Sequence, residues 1–218
     1  MVVELFTSQG CSSCPPAEAL LGELASRDDV IALEFHVDYW DYIGWADPFA
    51  DPRYTARQRA YGRALDQRYI YTPQMVIDGA VHVIGSREAA VEARIEAARM
   101  RRELAREAGE VPRLALTPAE GGALTVTLDG PAPGGAAYEL LAVGFDGAHE
   151  TQVRRGENAG RQLTNRHVVR AMEVLARWSG GPLSLEIPAG RMAGDGGCAV
   201  LLQQAGQGRI AAARMVRF

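Results

Sequence analysis

Two cysteines separated by two residues, in the run Cys11-Ser12-Ser13-Cys14, stand between the apolar stretch Val2 to Phe6 and the amphipathic stretch Pro15 to Ala25. The spacing lets both sulfurs share one helical turn, so they can close a small ring or open to two thiols. A helix starting just after them would turn unpaired backbone N–H groups and partial positive charge toward the first sulfur. That field favours the thiolate, which is the nucleophile in disulfide exchange. Two other chemistries use paired cysteines. A zinc site takes four ligands, usually as two close pairs. The remaining candidates here, Cys198, His36, His82, His149 and His167, are scattered along the chain. A structural disulfide of this spacing would close a tiny loop and constrain little of the unfolded chain. Dithiol–disulfide chemistry is therefore the leading reading.

Several polar residues stand where an active site could use them. Glu4 lies in a run that otherwise reads as buried strand, where an unpaired carboxylate is costly, so it must be paired, protonated or at an edge. Glu34, His36 and Asp38 alternate with Phe35, Val37 and Tyr39 and so share one strand face. His36 and Asp38 could shuttle protons or bind a metal, or simply hydrogen-bond. The loop Tyr39 to Trp45 holds two of the three tryptophans, Trp40 and Trp45. Aromatics with a polar handle line binding grooves and also pack loops onto cores. Together with Ser12 and Ser13, the residues His36, Asp38, Trp40 and Trp45 are the candidates for a substrate groove. The segment Arg155 to Arg170 is polar and charged, and with the aromatic loop it is expected to approach Cys11 and narrow access to the sulfur. Cys198 opens an apolar run and reads as a buried free thiol.

These residues need a scaffold, and the chain has the means to build one. Its 218 residues are 47% hydrophobic and 23% charged, ordinary for a globular protein and enough for two domains. A net charge of −4 gives no reason to invoke nucleic acid or an anionic membrane as partner. All 23 basic residues are arginine, which excludes Schiff-base lysine chemistry. No apolar stretch is long enough for a transmembrane helix. Met1 leads straight into the first strand, so the protein is expected to be cytoplasmic, or periplasmic or secreted after loss of a leader.

Residues 1–110 alternate strand and helix. Val2 to Phe6 and Val30 to Val37 read as buried strands, with a helix from Pro15 carrying Ala19, Leu20, Leu21 and Leu24 on one face. Tyr54 to Leu65 reads as a second helix. Gln74 to Ile77 and Val81 to Ile84 form a hairpin about Asp78-Gly79-Ala80. Ser86 then caps a long helix that ends before Gly109. The order implies an α/β sheet with helices on both faces. Residues 111–218 change character. Leu114 to Leu116, Leu124 to Leu128, Tyr138 to Phe145, Leu183 to Ile187, Ala199 to Gln203 and Ile210 to Val216 read as strands between Gly- and Pro-rich turns. They predict a separate all-β, sandwich-like domain.

With Cys11 to Cys14 placed between strand and helix, and Thr72-Pro73 directly before the hairpin strand, the first half resembles the thioredoxin superfamily. The resemblance implies a cis proline at Pro73 lying against the dithiol. It implies Cys11 as the attacking thiol nearer solvent and Cys14 as the resolving thiol one turn deeper. Pro73 would shape the groove, and the Thr72 backbone would pair with an incoming extended peptide or thiol. Glu4 would be the buried acid that takes a proton from Cys14, or else an ion-paired structural residue. Ser12 and Ser13 replace the Gly-Pro of thioredoxin, which leaves the redox direction open. More narrowly, the whole chain resembles the uncharacterised bacterial family DUF1223. The matching stretches are Val3 to Ala17, His36 to Trp45, Tyr71 to Met75, Arg155 to Asn158, and Leu163 to Asn165 with Val168 to Arg170. That resemblance implies a thioredoxin-like α/β domain followed by a β-rich one and, for many relatives, export; it implies no established reaction.

The function expected is a thiol–disulfide oxidoreductase acting through Cys11 and Cys14 on a protein or small-molecule thiol or disulfide, with no cofactor. The alternatives are a redox-inert thioredoxin-like module that binds a partner, and a protein that handles a soft metal such as copper through Cys11, Cys14 and a nearby histidine.

Overall fold

Buried on both faces, the first two strands carry near-continuous apolar runs: β1 (Val2–Thr7) and β2 (Ile31–His36) pair in parallel, with Val2 opposite Ile31 and Thr7 opposite His36. A computed structural model describes residues 1–218. Between these strands lies α1 (Pro15–Ala25), whose Leu20, Leu21 and Leu24 are buried as the sequence predicts, while Ala19, expected on the same face, is exposed and Ala17 takes its place. Helix α2 (Pro52–Ala64) is N-capped by the Asp51 side chain, which accepts from the Arg53 N–H. The hairpin of β3 (Gln74–Ile77) and β4 (Val81–Ile84) turns through Asp78 and Gly79, both with positive φ. Helix α3 (Glu88–Glu107) follows. Arg87 rather than Ser86 occupies its N-cap position, with no side-chain cap, and Gly109 ends it at φ 70°.

The later strands are β5 (Arg113–Pro118), β6 (Leu124–Asp129), β7 (Tyr138–Gln152), β8 (Gln162–Trp178), β9 (Leu183–Ile187), β10 (Gly197–Gln204) and β11 (Ile210–Arg217). Their assembly overturns the expected thioredoxin-like α/β domain followed by a separate all-β one. Strand β8 lies parallel to β2, with Glu34 opposite Val168. Strands from both halves therefore form one mixed eight-stranded sheet, in the order β11-β10-β7-β8-β2-β1-β3-β4. The sequence pattern does not reveal β8. Its second half, Ala171 to Trp178, has the spacing of an amphipathic helix, and two bulges against β7 break the period of two.

Both faces of this sheet are covered. On one face a single core runs from Val2, Phe6 and Phe35 through Tyr54 and Tyr61 of α2 to Phe145, Val169, Leu201 and Ala213. On the other, α1 and α3 cover the N-terminal strands, while the three-stranded sheet β5-β6-β9 covers the C-terminal ones. A buried ion pair ties the halves together. Arg57 of α2 donates to Glu4 of β1 at 2.7 Å and to the Gln203 side chain of β10 at 3.0 Å. No helix is long and apolar enough to cross a membrane.

Candidate functional site

The Cys11–Cys14 pair is a disulfide at the junction of β1 and α1, with Cα atoms 5.4 Å apart. The junction is a tight turn, since the Cys11 N–H donates to Ser8 O at 3.0 Å and the Cys14 N–H to Cys11 O at 3.2 Å. Cys14 is the N-cap residue of α1. The two prolines that follow carry no N–H, so the first helix donors are Ala17 and Glu18, and both bond Cys14 O. The expected cradle of unpaired N–H groups is thus absent at the first turn, and the helix dipole alone favours negative charge there. Ser13 places its hydroxyl 3.4 Å from Cys11 Sγ.

Cys11 is not near solvent, contrary to what the resemblance implies; both cysteines have zero exposure, while Ser12 and Ser13 are exposed. The cover comes from the second half of the chain. Asn158 is fully buried and its Nδ2 donates to the carbonyls of Gln9 and Cys11, each at 2.9 Å. Beside it, Glu157 accepts from the Ser12 N–H at 3.1 Å, and hydrogen bonding by the Ser12 hydroxyl and N–H holds its carboxyl below the usual range. The aromatic loop forms the adjoining wall. Trp45 Nε1 donates to Gln9 Oε1 at 3.1 Å, and Trp40 Nε1 to Thr72 Oγ1 at 2.8 Å. A Cβ on Gly10 would meet Trp40 and Ile43 at 3.2 and 3.3 Å, and one on Gly156 would meet Trp45 at 3.3 Å. The aromatic loop and the segment around Asn158 thus touch each other and the disulfide turn, and they enclose it.

Beneath the turn lies a buried cluster of four ionisable groups. His36 bridges two carboxylates, with Nδ1 2.7 Å from Asp47 and Nε2 3.5 Å from Glu34. Burial opposes its charge, but Asp47 and Glu34 outweigh burial and raise its pKa well above the ordinary value. Burial likewise opposes ionisation of Asp47, yet His36 and the N–H groups of Gln9 and Phe49 hold its carboxyl low. Glu18, on the first turns of α1, accepts from Thr7 Oγ1 at 2.7 Å. Burial, with Glu34 nearby, pushes its pKa up to about 8. Gln9 connects cluster and turn, because its backbone N–H donates to Asp47 and its side-chain amide to Asn165, which in turn donates to Glu34.

Of the residues that the sequence predicts, Cys11, Cys14, Ser12, Ser13, Trp40, Trp45 and His36 gather at this end of the sheet. The Thr72-Pro73 bond is cis, and Pro73 precedes Gln74, which pairs with Phe6 of β1. Thr72 is tied to the aromatic loop through Trp40. Asp38 does not join His36, because the strand has ended and its carboxylate accepts from Thr55 of α2 at 2.5 Å. Glu4 faces away from α1, on the side of Val2 and Phe6, and is paired with Arg57 and Tyr61. Its alternation along β1 removes it from the proton-acceptor role. Sequence reasoning placed the segment holding Asn158 and Asn165 near the disulfide without giving either a role, and it missed Glu18, Asp47 and Gln9. Glu18 had a readable signal, a charged residue inside the apolar stripe of α1; Asp47, on an irregular segment, had none. Cys198 is a buried free thiol, and burial pushes its pKa up to about 11. No group of three or more His, Cys, Asp or Glu side chains is disposed to hold a metal ion.

A mixed sheet with a loop-enclosed Cys-x-x-Cys disulfide at one end, over a buried cluster of His36 and three carboxyl groups, defines this architecture. The chain belongs to the family described as "Protein of unknown function (DUF1223)", whose pattern matches residues 2–203. It is similar to the crystal structure of protein AGR_C_4864 from Agrobacterium tumefaciens, with 31% identity, 99% of this chain and 93% of that chain covered, and a TM-score of 0.81. A second structure, an endonuclease/exonuclease/phosphatase from Beutenbergia cavernae, reaches 21% identity over 51% of this chain and 25% of that one. Its TM-score of 0.19 carries no structural likeness. No curated protein matches the chain.

Proposed function

We propose that Cys11 and Cys14 form a redox couple that exchanges with small or extended thiol and disulfide substrates. The observation that carries this reading is the Cys11–Cys14 disulfide set at a strand-to-helix junction beneath a cover held by hydrogen bonds. In the oxidising direction, a substrate thiolate attacks Cys11 Sγ, the Cys11–Cys14 bond breaks, and Cys14 leaves as a thiolate that takes a proton. A second substrate thiolate attacks the substrate sulfur of the mixed disulfide. Cys11 departs as a thiolate, so two electrons pass to the protein and the substrate leaves as a disulfide. The reducing direction is the reverse. Because Cys11 is fully covered, a substrate reaches it only as the cover of Trp45 and Asn158 opens, which favours a small thiol or an extended segment over a bulky folded surface.

The test is a redox titration of the full chain over roughly −300 to −100 mV, the span of known dithiol couples. Alkylation and mass spectrometry then count the reduced cysteines at each potential. The expected result is a two-electron transition in which Cys11 and Cys14 change together while Cys198 stays unmodified. A pair that resists reduction across that range, or that is reduced only as the protein unfolds, would assign the disulfide to structure. The partner-binding reading would then take its place.

A further inference from the structure

At the end of the sheet where β1 and β2 begin, opposite the disulfide, lies a second feature. The α1–β2 loop, α3 and β11 enclose a cleft of about 710 Å³. Its floor includes the apolar side chains of Val30, Ile31, Ala213 and Met215, and its walls carry six arginines against three carboxylates. Three of the arginines are engaged: Arg27 with Asp29 and Glu92, Arg99 with Glu96, and Arg102 with Asp78. Arg106, Arg214 and Arg217 form no ion pair. Arg214 and Arg217 donate only to the main-chain carbonyls of Ala213 and Ala25.

This arrangement runs against the composition. The chain holds 27 acidic residues against 23 basic ones, so acidic partners for surface arginines are in surplus. Arg106 on α3 and Arg214 and Arg217 on β11, elements more than 100 residues apart, nevertheless line one cleft with no carboxylate partner. Each has a separate local explanation. Arg106 sits in the last turn of α3, where the helix dipole favours a cation. Arg214 and Arg217 lie on β11, an edge strand, where charge discourages strand pairing with other molecules. Neither explanation brings the two elements' arginines to a common cavity with an apolar floor. Guanidinium forks match the oxygens of phosphates and carboxylates, and bind them in pairs of parallel hydrogen bonds.

We propose that this cleft binds a small polyanion carrying two or more phosphate or carboxylate groups, held by Arg106, Arg214 and Arg217. The proposal is independent of the disulfide's chemistry. Isothermal titration of the full chain with inorganic pyrophosphate and, separately, with citrate tests it. Saturable one-to-one binding of at least one probe is expected, and the tighter probe identifies phosphate or carboxylate as the preferred group. Arg106→Gln, Arg214→Gln and Arg217→Gln should each weaken binding about tenfold, equivalent to about 1.4 kcal/mol, as each loses a charged hydrogen bond to the anion. Arg63→Gln, an exposed arginine on α2 outside the cleft, should leave binding unchanged. Absence of saturation by either probe up to about 10 mM, a range that marks only weak contact, would overturn the proposal. So would equal binding by the three cleft variants and the parent, or equal weakening by Arg63→Gln. Each cleft variant is read singly, with its thermal unfolding curve compared to the parent, so loss of fold is not taken for loss of binding.

Discussion

The cover over the disulfide depends on Asn158, and its removal should make the sulfurs reactive. The Asn158 amide donates to two buried carbonyls, of Gln9 and Cys11, at 2.9 Å each. Asn158→Ala leaves both acceptors in place without that donor. A hydrogen bond contributes roughly 0.5–1.5 kcal/mol net, and stranding a buried partner costs about 1–3 kcal/mol. Two acceptors in one short turn put the loss at about 2–3 kcal/mol. The loss falls on the closed cover, because the opened segment exposes these carbonyls to water in both proteins. The population of the open form should then rise ~30- to 150-fold, at about 1.4 kcal/mol per tenfold change. Reduction of a buried disulfide proceeds through such local opening. The rate of Cys11–Cys14 reduction by a small phosphine in native buffer, followed by quenched alkylation and mass spectrometry, should rise by the same factor. Asn158→Asp, which keeps the volume but replaces the donor with a carboxylate, should act in the same direction. Parental reduction rates in both variants, alongside a lowered urea midpoint, would refute the assignment of the cover to Asn158.

Three further outcomes follow from the buried polar groups and the sheet packing. Glu18, with its pKa raised to about 8 when folded against 4.5 in the open chain, keeps a proton in the fold that the unfolded chain loses. Its contribution is therefore full below about pH 4.5 and is lost as pH rises toward 8, and the raised pKa of His36 acts in the same sense above its unfolded value. Glu18→Gln, uncharged and nearly isosteric, should flatten the fall in urea stability between about pH 5 and pH 8; an unchanged slope would rule Glu18 out as its source. Arg57→Met strands Glu4 in the core and should cost about 3–5 kcal/mol. In the Glu4→Gln/Arg57→Met double variant the cost should be well below the sum of the single ones, and urea midpoints that simply add would contradict the coupling. Gly144→Ala would set a Cβ 2.1 Å from the Ala193 carbonyl oxygen, so the thermal midpoint should fall by an amount equivalent to about 1–3 kcal/mol or more. A parental midpoint would mean that the Ala193 segment yields freely.

Much of this molecule was legible along the chain, because it is encoded by neighbours. The strand–turn–helix around Cys11 and Cys14, the hairpin at Asp78-Gly79, the long helix after Ser86 and the short C-terminal strands all follow from local period and turn chemistry. The two segments over the disulfide were marked by side chains too interactive for plain connections. What escaped is what depends on distant partners. Strand β8 carries a helix-like run that only pairing with β7 makes a strand, and it meets β2 at Val168. That one pairing turns two expected domains into a single sheet. Glu4 reads as an acid for the disulfide until its face of β1 is known, and that face belongs to Arg57, whose position depends on the packing of α2. Asn158 and Asp47 sit on segments without period, so nothing local announces their role. Local sequence determines which backbone conformations are cheap, whereas burial of a shared apolar face determines which distant segments meet. The enclosure of the disulfide is a property of that meeting, decided across more than 140 residues of chain.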